Sequence, residues 1–457
     1  MTVKRLIFNG TTMSTASHIA FGLWRHPEDQ HRGYLDVDHW VRVGQILERG
    51  RFDALFLADA LGQLDVYGGD TDASLRWAAQ SPVDDPLLVI SAIGAATRHL
   101  GFGVTVSTTY EHPYLLARKF TTLDHLTRGR IGWNVVTSQL DSAARNLGLD
   151  KQIPHDERYD IAEEFIEVAV GLWERTWDDD AVVADAERGV FTDPSRVRGL
   201  RHRGKYFTVV DAALSEPSIQ RTPVLFQAGS SPRGRDLAAR TAEVVFLSAS
   251  SPEEARVHVQ DVRTRAHRDH GRDPSSIKFV VSFSVIPAET DASAEAKRAD
   301  YARFHSVEGT LAHFSAITGV DWSGHDLDTP LKYIETDSGR GFLANAATAN
   351  LTLRQIAGGR RGLGYGAGVV GSPQTVADEM QRWADVGDID GFNLGEVVRP
   401  TSWEDFVDLV TPELQERGLA QTEYQGTTLR EQVHGAGTTR LPADHPLVDG
   451  VSSRRAG

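Results

Sequence analysis

Residues 123–138, LDHLTRGRIGWNVVTS, pass from helix to turn to strand with no linker between them. Leu123 and Leu126 are apolar at helical spacing, Gly129 ends the helix, and 131–136 is a mostly apolar run of strand length. A buried strand entered directly from a helix fits a parallel sheet covered by helices. Asn134, Thr137 and Ser138 would then lie at or just past the strand's carboxyl end, where open α/β sheets and barrels place their ligands.

The same alternation runs along the chain. Strands are predicted at 6–8, 52–58, 101–107, 131–136, 223–228, 243–247, 277–286 and 391–394, with helices at 38–49, 86–97 and 113–126 among them. Eight strands is the number that closes a (β/α)8 TIM barrel. We expect one barrel domain over 1–434 with two insertions. The first, about 178–217, is rich in Asp, Arg and Gly and should carry a small hairpin; the second, about 288–371, should carry a helix at 292–313. Its Gly-rich segment at 358–368, GGRRGLGYGAG, lacks the strand-before, helix-after context and Lys-Ser/Thr of a phosphate loop, and reads as a flexible lid. The tail, 435–457, has many turn formers and little periodicity, so it is expected to be disordered or an arm laid on a neighbour.

Charge and composition remove several classes. A formal net charge of -15, from 63 acidic and 48 basic residues, argues against nucleic-acid and anionic-membrane partners. With no cysteine, disulfides, thiolate catalysis and Cys-ligated metals are excluded. The first residues, MTVKRLIFNG, read as a strand, not as the apolar core of a signal peptide, and no run is long enough to span a bilayer, so a cytoplasmic protein is expected. Three of the 17 histidines, His258, His267 and His270, spread along one highly charged helix, the pattern of a solvated face, and no metal site is expected.

Two motifs suggest an anion site. AGSSPRGR follows a strand and opens a helix, so backbone N–H groups near Ser230 and Ser231 would face a phosphate; Ser-Ser-Pro is equally a helix cap with Pro232 at the first position. In HDERYD, His155 and Tyr159 are four residues apart and share a helical face, which could simply be a capped surface helix.

RGRIGWNVVTS, together with HPYLLARKFTTLDHL upstream, closely resembles the flavin-dependent monooxygenases of the bacterial luciferase superfamily, in the branch that oxidises nitrilotriacetate, dibenzothiophene sulfone and long-chain alkanes. Further landmarks occur in the same order: HIAFGLWRHPE, FDALFLAD, HDERYDIAEEFIEV, FTDPSRV, PVLFQAGSSPRGR, VADEM and PELQERGL. The resemblance implies a TIM barrel with insertions and FMN as cofactor, supplied reduced by a separate NAD(P)H:flavin reductase. It further implies O2 as co-substrate, activated as a flavin C4a-peroxide, a small organic substrate, and a homodimer or homotetramer.

It also assigns roles. His155, Tyr159, Ser230 and Ser231 match positions that hold the FMN phosphate, and Asp59, Thr105 and Asn134 match positions near the isoalloxazine. His18 and His313 match catalytic positions, with Leu64, Gln80 and Gln139 on the substrate side. Leu64, Gln139 and Ser14 depart from the alkane-oxidising members, which weighs against alkane hydroxylation. The neutral residues of the cavity favour a neutral aromatic or heterocyclic substrate, with sulfone C–S cleavage and flavin degradation as candidates. Alkane or aminopolycarboxylate oxidation, and a non-catalytic flavin carrier, are the alternatives.

Overall fold

A chain that repeats strand, turn and helix can bury both faces of its strands only by wrapping helices around them. The computed structural model describes residues 4–449 other than 337, 338, 340–342, 344, 345 and 359–365. Its eight principal strands are β1 (Ile7–Met13), β2 (Ala54–Ala58), β3 (Gly101–Ser107), β4 (Ile131–Val136), β5 (Val224–Gln227), β6 (Val244–Leu247), β7 (Lys278–Pro287) and β8 (Gly391–Gly395). Each pairs in parallel with the next. β8 pairs back with β1, placing Ile7 opposite Gly391, and this closes a (β/α)8 barrel.

Alternate residues of each strand pack on opposite faces. Ile7, Ala54, Phe56, Val224, Phe226, Val244 and Val280 form one cluster, which fills the barrel, while Phe8, Leu55, Phe102, Trp133, Val245 and Phe279 pack in the layer shared with the helices. Five helices matter below: α1 (Pro113–Thr127), α2 (His155–Arg175), α3 (Pro232–Thr241), α4 (Val307–Thr318) and α5 (Leu429–His434).

β3 and β4 have the predicted ends, and the other strands differ by one or two residues, except β1, which runs five residues beyond 6–8. Its extension is polar but buried: Asn9 Nδ2 donates to Asn393 Oδ1 at 2.7 Å, and Thr12 Oγ1 to Glu396. The first insertion carries two short hairpins where one was expected, pairing Val182–Asp185 with Val190–Thr192 and His202–Arg203 with Thr208–Val209. The helix expected at 292–313 is two, Asp291–Ala302 and α4, because Ser306 caps a new start by accepting from Gly309 N. Strand Ala367–Gly371 adds to the carboxyl half of β7, outside the ring. The lid reading of 358–368 falls largely on 359–365, outside the described residues.

Residues 435–449 do not form a free arm. Leu447 joins the main core, its carbonyl accepts from Arg175 Nη2 at 3.3 Å, and Arg440 pairs with Asp179 at 2.8 Å. Just before them, α5 closes the amino-terminal end of the barrel. Leu429 and Val433 join the interior cluster, and Arg430, fully buried, pairs with Glu243 at 2.7 Å. Among the described residues, no helix is long and apolar enough to cross a membrane.

Candidate active site

At the carboxyl end of the strands lies a cavity of about 670 Å³, within the range of cofactor pockets. Asp59 follows β2, Val135 to Gln139 continue β4, and Gln227 to Ser231 continue β5 into α3. Nine of the sequence-predicted residues line it: Asp59, Leu64, Gln80, Gln139, His155, Tyr159, Ser230, Ser231 and His313.

One end is built for an anion. Ser231 caps α3, its Oγ accepting from Gly234 N at 3.0 Å, with Pro232 in the first turn, so the capping reading holds and the same cap faces the cavity. α2 brings up Tyr159, with its ring centroid 5.0 Å from that of His155 one turn earlier. The backbones of Gly229 and Gly234 approach so closely that a Cβ on Gly234 would lie 2.7 Å from Tyr159 Oη and 2.8 Å from Gly229 Cα. Helix polarity, a phenol and a cradle that side chains would fill are what a phosphate needs. Arg233 and Arg235 also border it; Arg233 reaches Asp160 at 2.7 Å, and Arg235 donates to the Ser230 carbonyl at 2.9 Å.

Another part of the lining is largely apolar. Leu64, 3% exposed, packs with Phe21, Ala79, Leu140, Ala143 and Ala316, and the ring of Phe21 lies 5.2 Å from that of His313 on α4. Burial pushes the His313 imidazole down to about 4. Asp59 moves the other way: burial raises its carboxyl to about 6, against the N–H of Ala60 and with the charge of Asp85. Gln80 sits at φ 53, and its Nε2 donates to the His18 carbonyl at 3.1 Å.

Three predicted residues do not line this cavity. Thr105 and Asn134 face each other in the β3–β4 register, and Asn134 Nδ2 donates to Thr105 Oγ1 at 2.9 Å. They sit one residue deeper than Val135, which does reach the cavity, and Asn134 Oδ1 is buried without a partner. His18 borders a separate small chamber with Asp29, Glu396 and Arg399, and burial, His313 and Arg399 together hold its imidazole down at about 3.

Sequence reasoning missed several lining groups. Arg158 is 4% exposed and donates to the Ser138 carbonyl; Gln227 Oε1 accepts from Gly229 N at 2.8 Å. Glu396 and Arg399 follow β8 directly, and position past a barrel strand was the signal that could have found them. The predicted charged helix is Pro252–His270, in which His270 meets Asp236 at 3.0 Å. Among the described residues no group of His, Asp and Glu is arranged to hold a metal.

A barrel mouth that combines a capped helix start, a glycine cradle and buried imidazole and amide groups has the form of a ligand-binding site. Residues 18–389 match the family model described as luciferase-like monooxygenase, and the chain belongs to that family. It is 46% identical over 449 residues to the dimethyl-sulfide monooxygenase of Hyphomicrobium sulfonivorans, covering 97% of this chain and 93% of that protein. It is also 46% identical over 442 residues to the long-chain alkane monooxygenase of Geobacillus thermodenitrificans, covering 97% of each. Among solved structures, a riboflavin lyase with modified FMN and riboflavin superposes with a TM-score of 0.91 at 36% identity, covering 98% of this chain and 99% of that one. The protein is thus a flavin-dependent monooxygenase, an oxidoreductase that uses reduced flavin and O2.

Proposed function

We propose that the protein is the oxygenase of a two-component system, taking reduced FMN from a separate NAD(P)H:flavin reductase and oxygenating or cleaving a small neutral organic substrate. The carrying observation is the polarity of the one cavity: Ser231, Tyr159 and the Gly229–Gly234 cradle at one end, Leu64, Gln139 and His313 at the other. The fit to a flavin phosphate rests on that cradle. The fit to a flavin ring edge rests on Asn134 Oδ1, a buried acceptor without a partner, with Thr105 fixing the amide from its other side.

When bound, the reduced flavin supplies the two electrons that activate O2. The chain's own residues do the rest. Ser230, Ser231, His155 and Tyr159 would hold the phosphate, Asp59 would border the ring, and Gln80 and Gln139 would orient substrate oxygen or nitrogen. Leu64, Leu140 and Ala316 keep water from the reacting face. His313 is neutral at physiological pH and can donate to oxygen without introducing charge.

The substrate class follows from the same cavity. The three cations of the described lining are each already engaged by the protein, Arg158 by the Ser138 carbonyl, Arg233 by Asp160 and Arg235 by the Ser230 carbonyl and Asp261, so a polyanionic chelator finds little there and a neutral sulfide, sulfone or heterocycle fits better. The dimethyl-sulfide and dibenzothiophene-sulfone relatives support that reading. From the resemblance to its branch we further propose a cytoplasmic homodimer or homotetramer.

The test is an anaerobic titration with oxidised and reduced FMN, then admission of O2 with sulfides, sulfones and riboflavin in turn. Tight binding of the reduced form and oxygen transfer to one of these supports the proposal. Failure to bind either form would overturn it.

A further inference from the structure

Beside the main cavity is a second chamber of about 10 Å³, the space of roughly one water, bordered by Ser17, His18, Trp24, Asp29, Glu396 and Arg399. Four polar atoms on these residues are sealed from solvent with no protein partner: His18 Nδ1, Trp24 Nε1, Asp29 Oδ1 and Glu396 Oε2. Buried polar atoms are nearly always paired, so four around one small space mark a place built to share hydrogen bonds. One indole donor, two carboxylate acceptors and an imidazole nitrogen of either sense match the bonding capacity of a single water.

The outer wall is rigid. Arg399 Nε donates to Glu396 Oε1 at 2.8 Å, Arg399 N donates to Asp29 Oδ2 at 2.8 Å, and Arg399 Nη1 reaches the Thr15 carbonyl. Glu396 is 5% and Arg399 4% exposed. On the inner side, the His18 carbonyl accepts from Gln80, and both Gln80 and His313 line the main cavity. The His18 ring is close enough to His313 for the charge of His313 to act on it, which sets the ring between the chamber and the cavity.

We propose that Asp29 and Glu396, held in place by Arg399, are positioning residues that lend a proton to His18 across this chamber, making His18 the proton relay of the reaction. The role in turnover rests on the monooxygenase reading. Substrate, O2 and reduced flavin give oxygenated substrate, oxidised flavin and water, whose two hydrogens are those the flavin loses. The sum leaves no net proton, so a lender suffices. One proton passes from Asp29 to His18 Nδ1 as the ring gives its other proton towards the cavity, and both shifts reverse when water leaves.

The ionisation preferences agree. Burial, with the charge of Glu396, raises Asp29 to about 7 against the N–H and charge of Arg399, while His18 stays neutral. Other titratable groups facing the cluster are His31, whose Nδ1 lies 3.3 Å from the Asp29 carbonyl, His39, which feels Glu396 and Arg399, and Glu28, and, from the facing helix Asp291–Ala302, Tyr301 and Asp300 with His26 between them.

The experiment follows the histidine ring nitrogens by NMR in the flavin-free chain from pH 5 to 9. We expect the His18 Nδ1 shift to carry an inflection near pH 7 that Asp29→Asn abolishes and Asp29→Glu retains, with melting temperatures confirming that the variants fold. In Glu396→Gln the inflection should move. With reduced FMN bound, Asp29→Asn should slow a single turnover on the order of tenfold without changing FMN affinity. An inflection that persists in Asp29→Asn, its absence from the parent chain, or an unchanged turnover rate overturns the proposal. The NMR measurement uses no flavin, so it fails or succeeds apart from the monooxygenase reading.

Discussion

Gly234 leaves the space that Tyr159 Oη occupies: a Cβ at position 234 would lie 2.7 Å from the phenol oxygen and within 3 Å of the Gly229 backbone. The phenol can give way, but the Gly229 backbone cannot move without distorting the turn that enters α3. Gly234→Ala should therefore weaken FMN binding on the order of tenfold or more, about 1.4 kcal/mol, and leave riboflavin binding nearly unchanged. Calorimetric titration with both flavins checks this; an equal loss for both would place the phosphate elsewhere.

Arg430 is fully buried beside Glu243, its Nε 2.7 Å from Glu243 Oε1 and its Nη2 donating to the Thr222 carbonyl at 2.8 Å. Arg430→Ala strands a buried carboxylate, and we expect a loss of about 3–5 kcal/mol in urea unfolding. Despite the opposing effect of burial, the charges of Arg430 and His434 and their hydrogen bonds hold the Glu243 pKa well below 4.5. The stabilisation is therefore present above that pH and is lost as pH falls further. Below pH 4 the difference between parent and variant should shrink.

Asp59 has the opposite sign. Its folded pKa of about 6 stands above the ordinary 3.8, so the folded state holds the proton more tightly. That contribution to stability is complete below about pH 4 and disappears as pH rises through 6. The melting temperature of Asp59→Asn should gain on that of the parent between pH 4 and 7. Parallel melting curves would show an ordinary carboxylate.

Leu64 fills the neutral end of the cavity against Phe21 and Leu140. Leu64→Ala should cost about 2–5 kcal/mol by leaving a hole and shift preference towards bulkier substrates. Denaturation curves and competition between a small and a large sulfide check the two effects separately. A destabilised enzyme with unchanged preference would place the substrate away from this wall.

What could be read from the sequence was local. β3 and β4 have their predicted ends because apolar content, flanking turns and strand length agree within a few residues. β1 looked short because Asn9 and Thr12 are polar, and their partners Asn393 and Glu396 lie more than 380 residues away. The Ser231 cap and the His155–Tyr159 pair were visible because a cap and a helical spacing are local signals. The Asp29–Glu396–Arg399 cluster was not, since it exists only once β8 pairs with β1. Residues 435–449 lacked periodicity because they are held by single contacts such as Arg440 to Asp179, which leave no repeating pattern.

The placement of α5 has a bearing on biosynthesis. Leu429 reaches so far under the barrel that a Cβ on Gly101 would meet its Cδ1 at 2.5 Å, yet it emerges from the ribosome well after β8. At roughly 5–20 residues per second, the nascent ring spends a few seconds complete in its strands but without Leu429 and Val433 against its interior. That interval is when a chaperone that recognises apolar surface would have its target, and a ribosome stalled before codon 429 would release a chain prone to aggregate through its own unsealed interior.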